Sequence, residues 1–265
     1  FMKKINLISD FNIIPLKRSL LSLEKDNNYE INTSEYNQFY QNLISLKEDD
    51  NQINIIWCLP ENIIPSFKKA LLREDFSKKE LSNEVENYAN LILDLSSRSK
   101  ATIVFTWNYQ ARYKTYGILD FKYDKGILLL LAEMNLQIAK KFCLTKSLYL
   151  SDITHCFFNN GKLIDRKMWY AAKVPFSSGL FLIVAKHTKN LLNTITSYRR
   201  KLLILDLDNT LWGGILGDLG WKKINIGGHN IEGEAFKDFQ ANLKSFKNLG
   251  IQLAICSKNE EKNAL

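Results

Sequence analysis

The stretch that most restricts how this chain can fold is Arg199 to Gly214, RRKLLILDLDNTLWGG, in which a short apolar run leads straight into two aspartates. Leu202 to Leu205 is bounded by basic residues on one side and by turn-forming Asp and Asn on the other. That is the pattern of a strand buried on both faces of a parallel sheet. The C-terminal edge of such a sheet is where open α/β folds bind ligands. Asp206 and Asp208 are two residues apart, and strand side chains repeat with period two, so the spacing predicts that both carboxylates leave the sheet on one side. Carboxylates placed that close favour a cation.

The chemistry this suits is phosphoryl transfer assisted by Mg2+, a hard cation commonly held by one or two carboxylates together with substrate phosphate. Asp206 would attack phosphorus to form an aspartyl phosphate. Asp208, its pKa raised by the neighbouring charge, would protonate the leaving group and later activate water. The Thr210 hydroxyl would hold the turn. A lone D-x-D after a strand is more often a solvated turn, but here the apolar run before it and the L-W-G-G after it make the pattern far more demanding.

Composition bounds the rest. A chain of 265 residues has room for one large or two ordinary domains. With 46% hydrophobic and 12% aromatic residues it can bury sizeable cores, which excludes a disordered chain. The net charge of +8 is spread as Lys and Arg among acids, and the tightest basic cluster, Arg199 to Lys201, sits just before a strand, so no nucleic-acid partner is expected. Cys58, Cys143, Cys156 and Cys256 show no C-x-x-C spacing and read as reduced, buried residues of a cytoplasmic protein. The longest apolar runs, such as Ile127 to Ala132 and Leu180 to Ala185, fall well short of the ~20 residues of a membrane span, so neither a span nor a membrane partner is expected.

Strand and helix patterns alternate along the chain, which predicts an α/β fold with a parallel sheet covered on both faces. Strands are expected at Ile5 to Ile8, Ile53 to Cys58, Thr102 to Trp107 and Ser147 to Leu150. Helices are expected at Leu16 to Leu23, Ile63 to Leu72, Lys79 to Ser97, Ile127 to Phe142 and Leu180 to Ile195. Asn27 to Asn42 is polar with no clear period and reads as a loop. Beyond the aspartates, Ile215 to Gly217 and Ile224 to Gly227 read as the arms of a hairpin flap. A helix over Glu232 to Asn248, ended by Gly250, then leads to a strand at Gln252 to Cys256.

D-L-D-N-T after a hydrophobic strand resembles the first motif of the haloacid dehalogenase (HAD) superfamily. The longer DLDNTLWGG, followed by GEAF, FQ and SKN, resembles the FkbH-like group within it, also known as HAD-IIIC phosphatases. The likeness runs from about Met168 to Leu265. It implies a Rossmann-like HAD domain beginning at residue 199, with Asp206 as nucleophile, Asp208 as acid/base, and Asp206 with the Asp208 carbonyl as Mg2+ ligands. Ser257 falls at the second motif, where a hydroxyl and backbone N–H groups hold phosphate, with Lys258 and Asn259 beside it; Ser257-x-x-Glu260 also reads as a helix capping box. The group's chemistry, release of phosphate from an acyl phosphate such as 1,3-bisphosphoglycerate and passage of the glyceryl group to an acyl carrier protein, would make Cys256 an acyl acceptor; core packing is its alternative. Little space between Asp206 and Ser257 is left for a cap domain, so an open site for a large substrate is expected. The third and fourth motifs of the superfamily would lie beyond Leu265, so the chain reads as the first part of a longer protein with weak Mg2+ binding and little turnover by itself.

Residues 1–198 resemble the SGNH-like (flavodoxin-like) domain that precedes the phosphatase domain in FkbH-like proteins, giving domains of 1–198 and 199–265. Ser9, Asp10, Asn108, Asp152 and His155 all follow strands, as the convergent residues of an SGNH esterase do. The G-D-S fingerprint is damaged: aligning its Asp on Asp10 places Phe11 at the nucleophile. Ser9 therefore reads as a helix N-cap, and His155 as a partly buried histidine bonded to Asp152. Trp169, Tyr170 and Phe176 are expected to bury against the second domain. Besides a phosphatase or phosphoryl-releasing acyl transferase, an SGNH-type esterase and a noncatalytic module that docks a carrier protein stay open.

Overall fold

The order in which strands enter the main sheet decides where this fold opens to a ligand. The computed structural model describes residues 3–24, 29–110, 113–158, 163–196, 201–228 and 230–259, and the chain divides into two compact units, Phe1–Ile195 and Thr196–Leu265. The first unit carries strands β1 (Lys3–Ile8), β2 (Tyr29–Thr33), β3 (Asp49–Ile56), β4 (Ser99–Phe105) and β5 (Leu148–Ser151). They form one sheet in the order β2-β1-β3-β4-β5, with every pair parallel. The chain leaves β1 towards one edge and returns to start β3 on the other side of β1. The crevice at the C-terminal ends of β1 and β3 is therefore the topological switch point.

The helices of this unit are α1 (Ile14–Leu23), α2 (Phe39–Ser45), α3 (Pro60–Ile63), α4 (Pro65–Leu72), α5 (Lys78–Ser97), α6 (Ile127–Phe142), α7 (Arg166–Ala172) and α8 (Ser178–Ile195). Strand alternation splits the core into two layers. Ile8, Ile56 and Val104 meet Leu81, Val85, Tyr88 and Ile92 of α5 and Ile127, Leu130 and Met134 of α6 on one face. Leu7, Ile55, Ile103 and Phe105 meet Leu16 and Leu20 of α1 and Leu180, Phe181, Val184 and Ala185 of α8 on the other. Burial on both faces explains why β1, β3 and β4 read as apolar runs rather than as alternating strands.

Four expectations are corrected here. The polar stretch from 27 to 42 contains β2 and the start of α2: Tyr29, Ile31 and Thr33 suit a strand, and Phe39 and Leu43 bury one helix face four residues apart. The helix expected over Ile63 to Leu72 is broken into α3 and α4, because Ile64 precedes Pro65 and sits in extended backbone at φ −113°, ψ 97°. Phe176 is buried within the first unit, stacked on Trp57 at 4.9 Å and edge-on to Phe11 and Phe181; Trp169 packs on the same core, and Tyr170 is exposed. Cys143 and Cys256 are exposed, while Cys58 and Cys156 are buried.

The second unit contains β6 (Leu202–Leu205), α9 (Leu216–Leu219), α10 (Ile231–Asn248) and β7 (Gln252–Ile255). β6 and β7 pair in parallel, Leu202 opposite Gln252 and Leu205 opposite Ile255. The side chain of Asn230 caps α10 by accepting from the Gly233 N–H at 2.6 Å, and Gly250, at φ +86°, closes its other end by donating to the Lys247 carbonyl. In place of a hairpin flap the chain makes one antiparallel bridge, Gly213 to Asn225, and the first arm turns into α9. A Cβ on Gly213 would meet the Phe236 ring at 2.8 Å, so this close approach of backbone needs glycine. No described helix is long and apolar enough to cross a membrane.

The stacked aromatic group around Phe176 should dominate the stability of the first unit. Phe176→Ala is expected to cost about 3–5 kcal/mol in urea unfolding, as large-to-small changes in a close-packed core do.

Candidate active site

The exits of β6 and β7 lie side by side, because β6 ends at Leu205 opposite Ile255 and the Cys256 N–H donates to the Leu205 carbonyl at 2.8 Å. Asp206, Leu207 and Asp208 leave one strand; Cys256, Ser257, Lys258 and Asn259 leave the other. Leu207 is buried between an exposed Asp206 and a half-buried Asp208. The turn is closed by its own backbone, with the Leu207 carbonyl accepting from the N–H groups of Thr210 (3.2 Å) and Leu211 (2.8 Å). Asn209 sits at φ +52° in the left-handed region, and its side-chain oxygen accepts from the Gly214 N–H at 2.8 Å. Asn tolerates that conformation better than most residues with a Cβ.

The two carboxylates differ in environment. Asp206 accepts only its own neighbour's N–H, from Leu207 at 2.8 Å through Oδ1, among the described residues. Asp208 Oδ1 accepts from the Leu216 N–H (3.1 Å) and from Trp212 Nε1 (3.0 Å). Its pKa lies below the ordinary carboxylate value, first because of the Leu216 N–H, with the Asn259 and Trp212 side chains adding to it against a smaller opposing effect of burial. The expectation of a raised Asp208 pKa is thus corrected: donors to the charged form outweigh the neighbouring aspartate. Sequence reasoning used Trp212 only to recognise a pattern and missed that its indole N–H holds this carboxylate.

Across the gap, the Ser257 hydroxyl accepts from the Asn259 N–H at 3.2 Å, as at the opening of a helical turn. The Asn259 amide nitrogen is buried and acts on Asp208, yet makes no hydrogen bond of ordinary geometry among the described residues. Lys258 and Cys256 are exposed, and Thr210 is half-buried. Glu260, the partner expected for Ser257 in a capping box, lies outside the described residues.

The residues expected to form an esterase site do not gather in one cluster. Ser9 is fully buried, and its hydroxyl accepts from the Phe11 N–H at 3.1 Å, so it braces the turn after β1 while α1 starts later, after Ile13. Asn108, Thr154 and Asp152 do meet: Thr154 Oγ1 donates to Asn108 Oδ1, and Asp152 accepts from Thr106 Oγ1 and the Thr154 N–H, each at 3.0 Å. His155 is exposed, with its ring edge-on to His187 at 4.7 Å rather than bonded to Asp152. His187 Nε2 lies 3.0 Å from the Ser151 hydroxyl. Asp10, next to Ser9 in the chain, accepts instead from the Leu59 N–H at 2.8 Å and Asn62 Nδ2 at 2.5 Å. Burial pushes its carboxyl up to about 7 against both donors, with Glu61 adding to the rise.

No protein-family profile and no curated protein matches this chain. Among solved structures, the chain is similar to the N-terminal part of protein BF1531 from Bacteroides fragilis, described as containing a phosphatase domain and complexed with Mg. The two are 22% identical, with a TM-score of 0.78 over 99% of this chain and 70% of that one. A weaker likeness, at 14% identity and a TM-score of 0.46 over 74% of this chain and 95% of the other, is to a catalytic mutant of the acetylxylan esterase Axe2 from Geobacillus stearothermophilus. The whole chain, both units included, thus shares a fold with the Bacteroides protein.

Asp10 gives a pH signature that can be measured. Its folded pKa lies above its unfolded value, so the native state binds the proton more tightly, and stability falls as pH rises from the unfolded value to the folded one. At about 1.4 kcal/mol per unit, wild type should lose roughly 2–3 kcal/mol relative to Asp10→Asn between pH 5 and pH 7, then run parallel to it. Urea unfolding of both proteins across that range checks this; a constant difference would exclude it.

Proposed function

We propose that this chain carries a metal-dependent phosphatase of the HAD type and FkbH-like group, with Asp206 as the nucleophile towards phosphorus and Asp208 as the general acid/base. The observation that carries the reading is the adjacency of two strand exits, one delivering Asp206 and Asp208 and the other Ser257 to Asn259. One exit supplies oxygen nucleophile and acid; the other supplies a hydroxyl and N–H groups suited to phosphate. The Mg in the similar Bacteroides structure supports the choice of cation.

The donor set fits Mg2+. Asp206 keeps one carboxylate oxygen without a partner among the described residues, and the Asp208 carbonyl adds a second hard oxygen. No group of three or more His, Cys, Asp or Glu side chains suited to a metal occurs among the described residues, so waters and substrate phosphate would complete the shell, as is usual for this ion. Bound there, Mg2+ would neutralise charge on the phosphate oxygens. Asp206 attacks phosphorus as its exposed carboxylate. Asp208, held in place by Trp212 and the Leu216 N–H, takes a proton from the water that ends one cycle and gives it to the leaving oxygen of the next. Thr210 and Ser257 hold the turn and the phosphate, with Lys258 and Asn259 assisting.

The substrate in this reading is a phosphorylated small molecule, an acyl phosphate such as a glyceryl phosphate anhydride, in a cytoplasmic protein. Cys256 directly follows β7 and is exposed, which suits an acyl acceptor better than a core residue. In that branch the Cys256 thiolate would attack the acyl carbon of the intact acyl phosphate, the bond from acyl carbon to phosphate oxygen breaking and phosphate leaving, in place of attack by Asp206 on phosphorus; the thioester so formed would pass to the thiol of an acyl carrier protein. The SGNH-like label for the first unit is supported by its strand order, without a free serine at the end of β1.

Phosphate release from p-nitrophenyl phosphate and acetyl phosphate by the gene's full-length product, with and without Mg2+, tests the proposal. Activity should require Mg2+ and fall roughly 10³-fold or more in Asp206→Asn. Equal rates in both proteins would rule out the aspartyl route, and inactivity in both would favour the docking module.

A further inference from the structure

At the switch point of the first unit, away from the residues of the proposed phosphatase, a cavity of about 520 Å³ opens between the C-terminal end of β1 and helices α2, α3, α4 and α7. Its walls include Asp10, Glu61, Lys68, Tyr36, Tyr40 and Trp169. We propose that this cavity binds a small organic ammonium ion, paired with the Asp10 carboxylate and resting against the Tyr36 and Tyr40 rings.

The charge balance is the first argument. The chain as a whole carries +8, yet this cavity has the buried Asp10 carboxylate in its wall, whereas Glu61, also in the wall, is already engaged and accepts from the Tyr113 hydroxyl at 2.5 Å. Asp10 is only 7% exposed, and among the described residues neither it nor Lys68 makes an ion pair. Among the described residues the donors to the Asp10 carboxylate are all neutral: the Leu59 N–H, Asn62 Nδ2 and its own N–H. A buried carboxylate without a cation costs several kcal/mol, which an incoming cation recovers.

The rings are the second argument. Tyr36 and Tyr40 are each nearly half exposed at the cavity, and the Tyr40 hydroxyl donates to the Ile63 carbonyl at 3.1 Å, which fixes the ring. Phe39 packs edge-on to Tyr40 at 5.3 Å behind it. Aromatic faces beside a carboxylate attract alkylammonium groups through the ring quadrupole. A sugar would use the rings and amides equally well, but it would leave the Asp10 charge uncompensated. Lys68 can meet a polar or anionic group at the ligand's far end.

Choline is a suitable probe because its charge does not titrate, and 3,3-dimethylbutan-1-ol is its uncharged isostere. Calorimetric titration of the protein should show choline binding and at least tenfold weaker binding of the alcohol. Affinity for choline should rise about tenfold from pH 6 to pH 8 as Asp10 ionises, given its pKa of about 7. The groups facing Asp10 that shape this profile are Glu61 of α3, Lys68 of α4, Tyr40 of α2, and Cys58 and Tyr88 beneath it. Asp10→Asn should abolish binding with its unfolding temperature retained. Tyr36→Leu, at an exposed position that does not threaten folding, should weaken binding several-fold. Equal affinity for the alcohol, binding of glucose in place of choline, no choline binding at millimolar concentration, or choline binding unchanged in both variants would each overturn the proposal.

Discussion

Where β1 and β3 part company at the centre of the sheet, a buried backbone N–H is left without its strand partner. The two strands pair up to Ile8 and Ile56, and the Trp57 N–H still reaches the Ile8 carbonyl at 3.0 Å. Two residues later Leu59 is 1% exposed, and its N–H is met by the Asp10 carboxylate instead. Buried N–H groups are almost always paired, so this single side chain lets the central strands diverge without an orphan donor. The crevice, the course of α3 with Asn62, and the cavity wall all follow from that divergence. The same bond explains why the sequence tolerates an aspartate in so buried a place.

That accommodation has a chemical consequence. A carboxylate spent on two neutral donors keeps its proton far more readily than an exposed one, because desolvation outweighs both bonds. In the second unit the balance is reversed. Asp208 is reached by a backbone N–H, an indole and an amide while still partly open to water, and its carboxyl drops below the ordinary value. The chain thus presents two aspartates at strand ends that are driven apart in acidity, Asp10 upward by burial and Asp208 downward by the Leu216 N–H. The one suited to work as an ionised ligand or base is the less buried of the two.

How much of this was legible in the sequence depends on how local each feature is. β6, α6, α5 and α8 fall within two residues of their expected positions, because apolar periodicity decides them within one segment. The acidic turn was nearly as legible, since most of the bonds that shape it join residues 206 to 216, with Gln240 and Asn259 adding to them from further along the chain. β2 and α2 were missed because their apolar positions are sparse and set among Asn, Thr and Ser; pairing with β1 and packing on the sheet, rather than local propensity, makes them fold. The partners of Asp10 were invisible for the same reason. Leu59 and Asn62 lie about fifty positions away, and nothing in their neighbourhood marks them.

The division between local and distant determination also bears on how each unit can be altered. The acidic turn rests mainly on Asn209 in the left-handed region, the Leu207 carbonyl and the Leu216 and Trp212 donors to Asp208, all close in the chain, with Asn259 and Gln240 reaching it from further along. Around Asp10 the walls come from five separate elements, so the shape of that cavity is a property of the packed first unit. A change in the aromatic group at Trp57 and Phe176, which shares a core layer with Leu59, would reach Asp10 through Leu59 before it reached the ligand. A turn shaped mostly by contiguous residues can be moved between folds with its motif; a cavity built at a switch point belongs to the fold that made it.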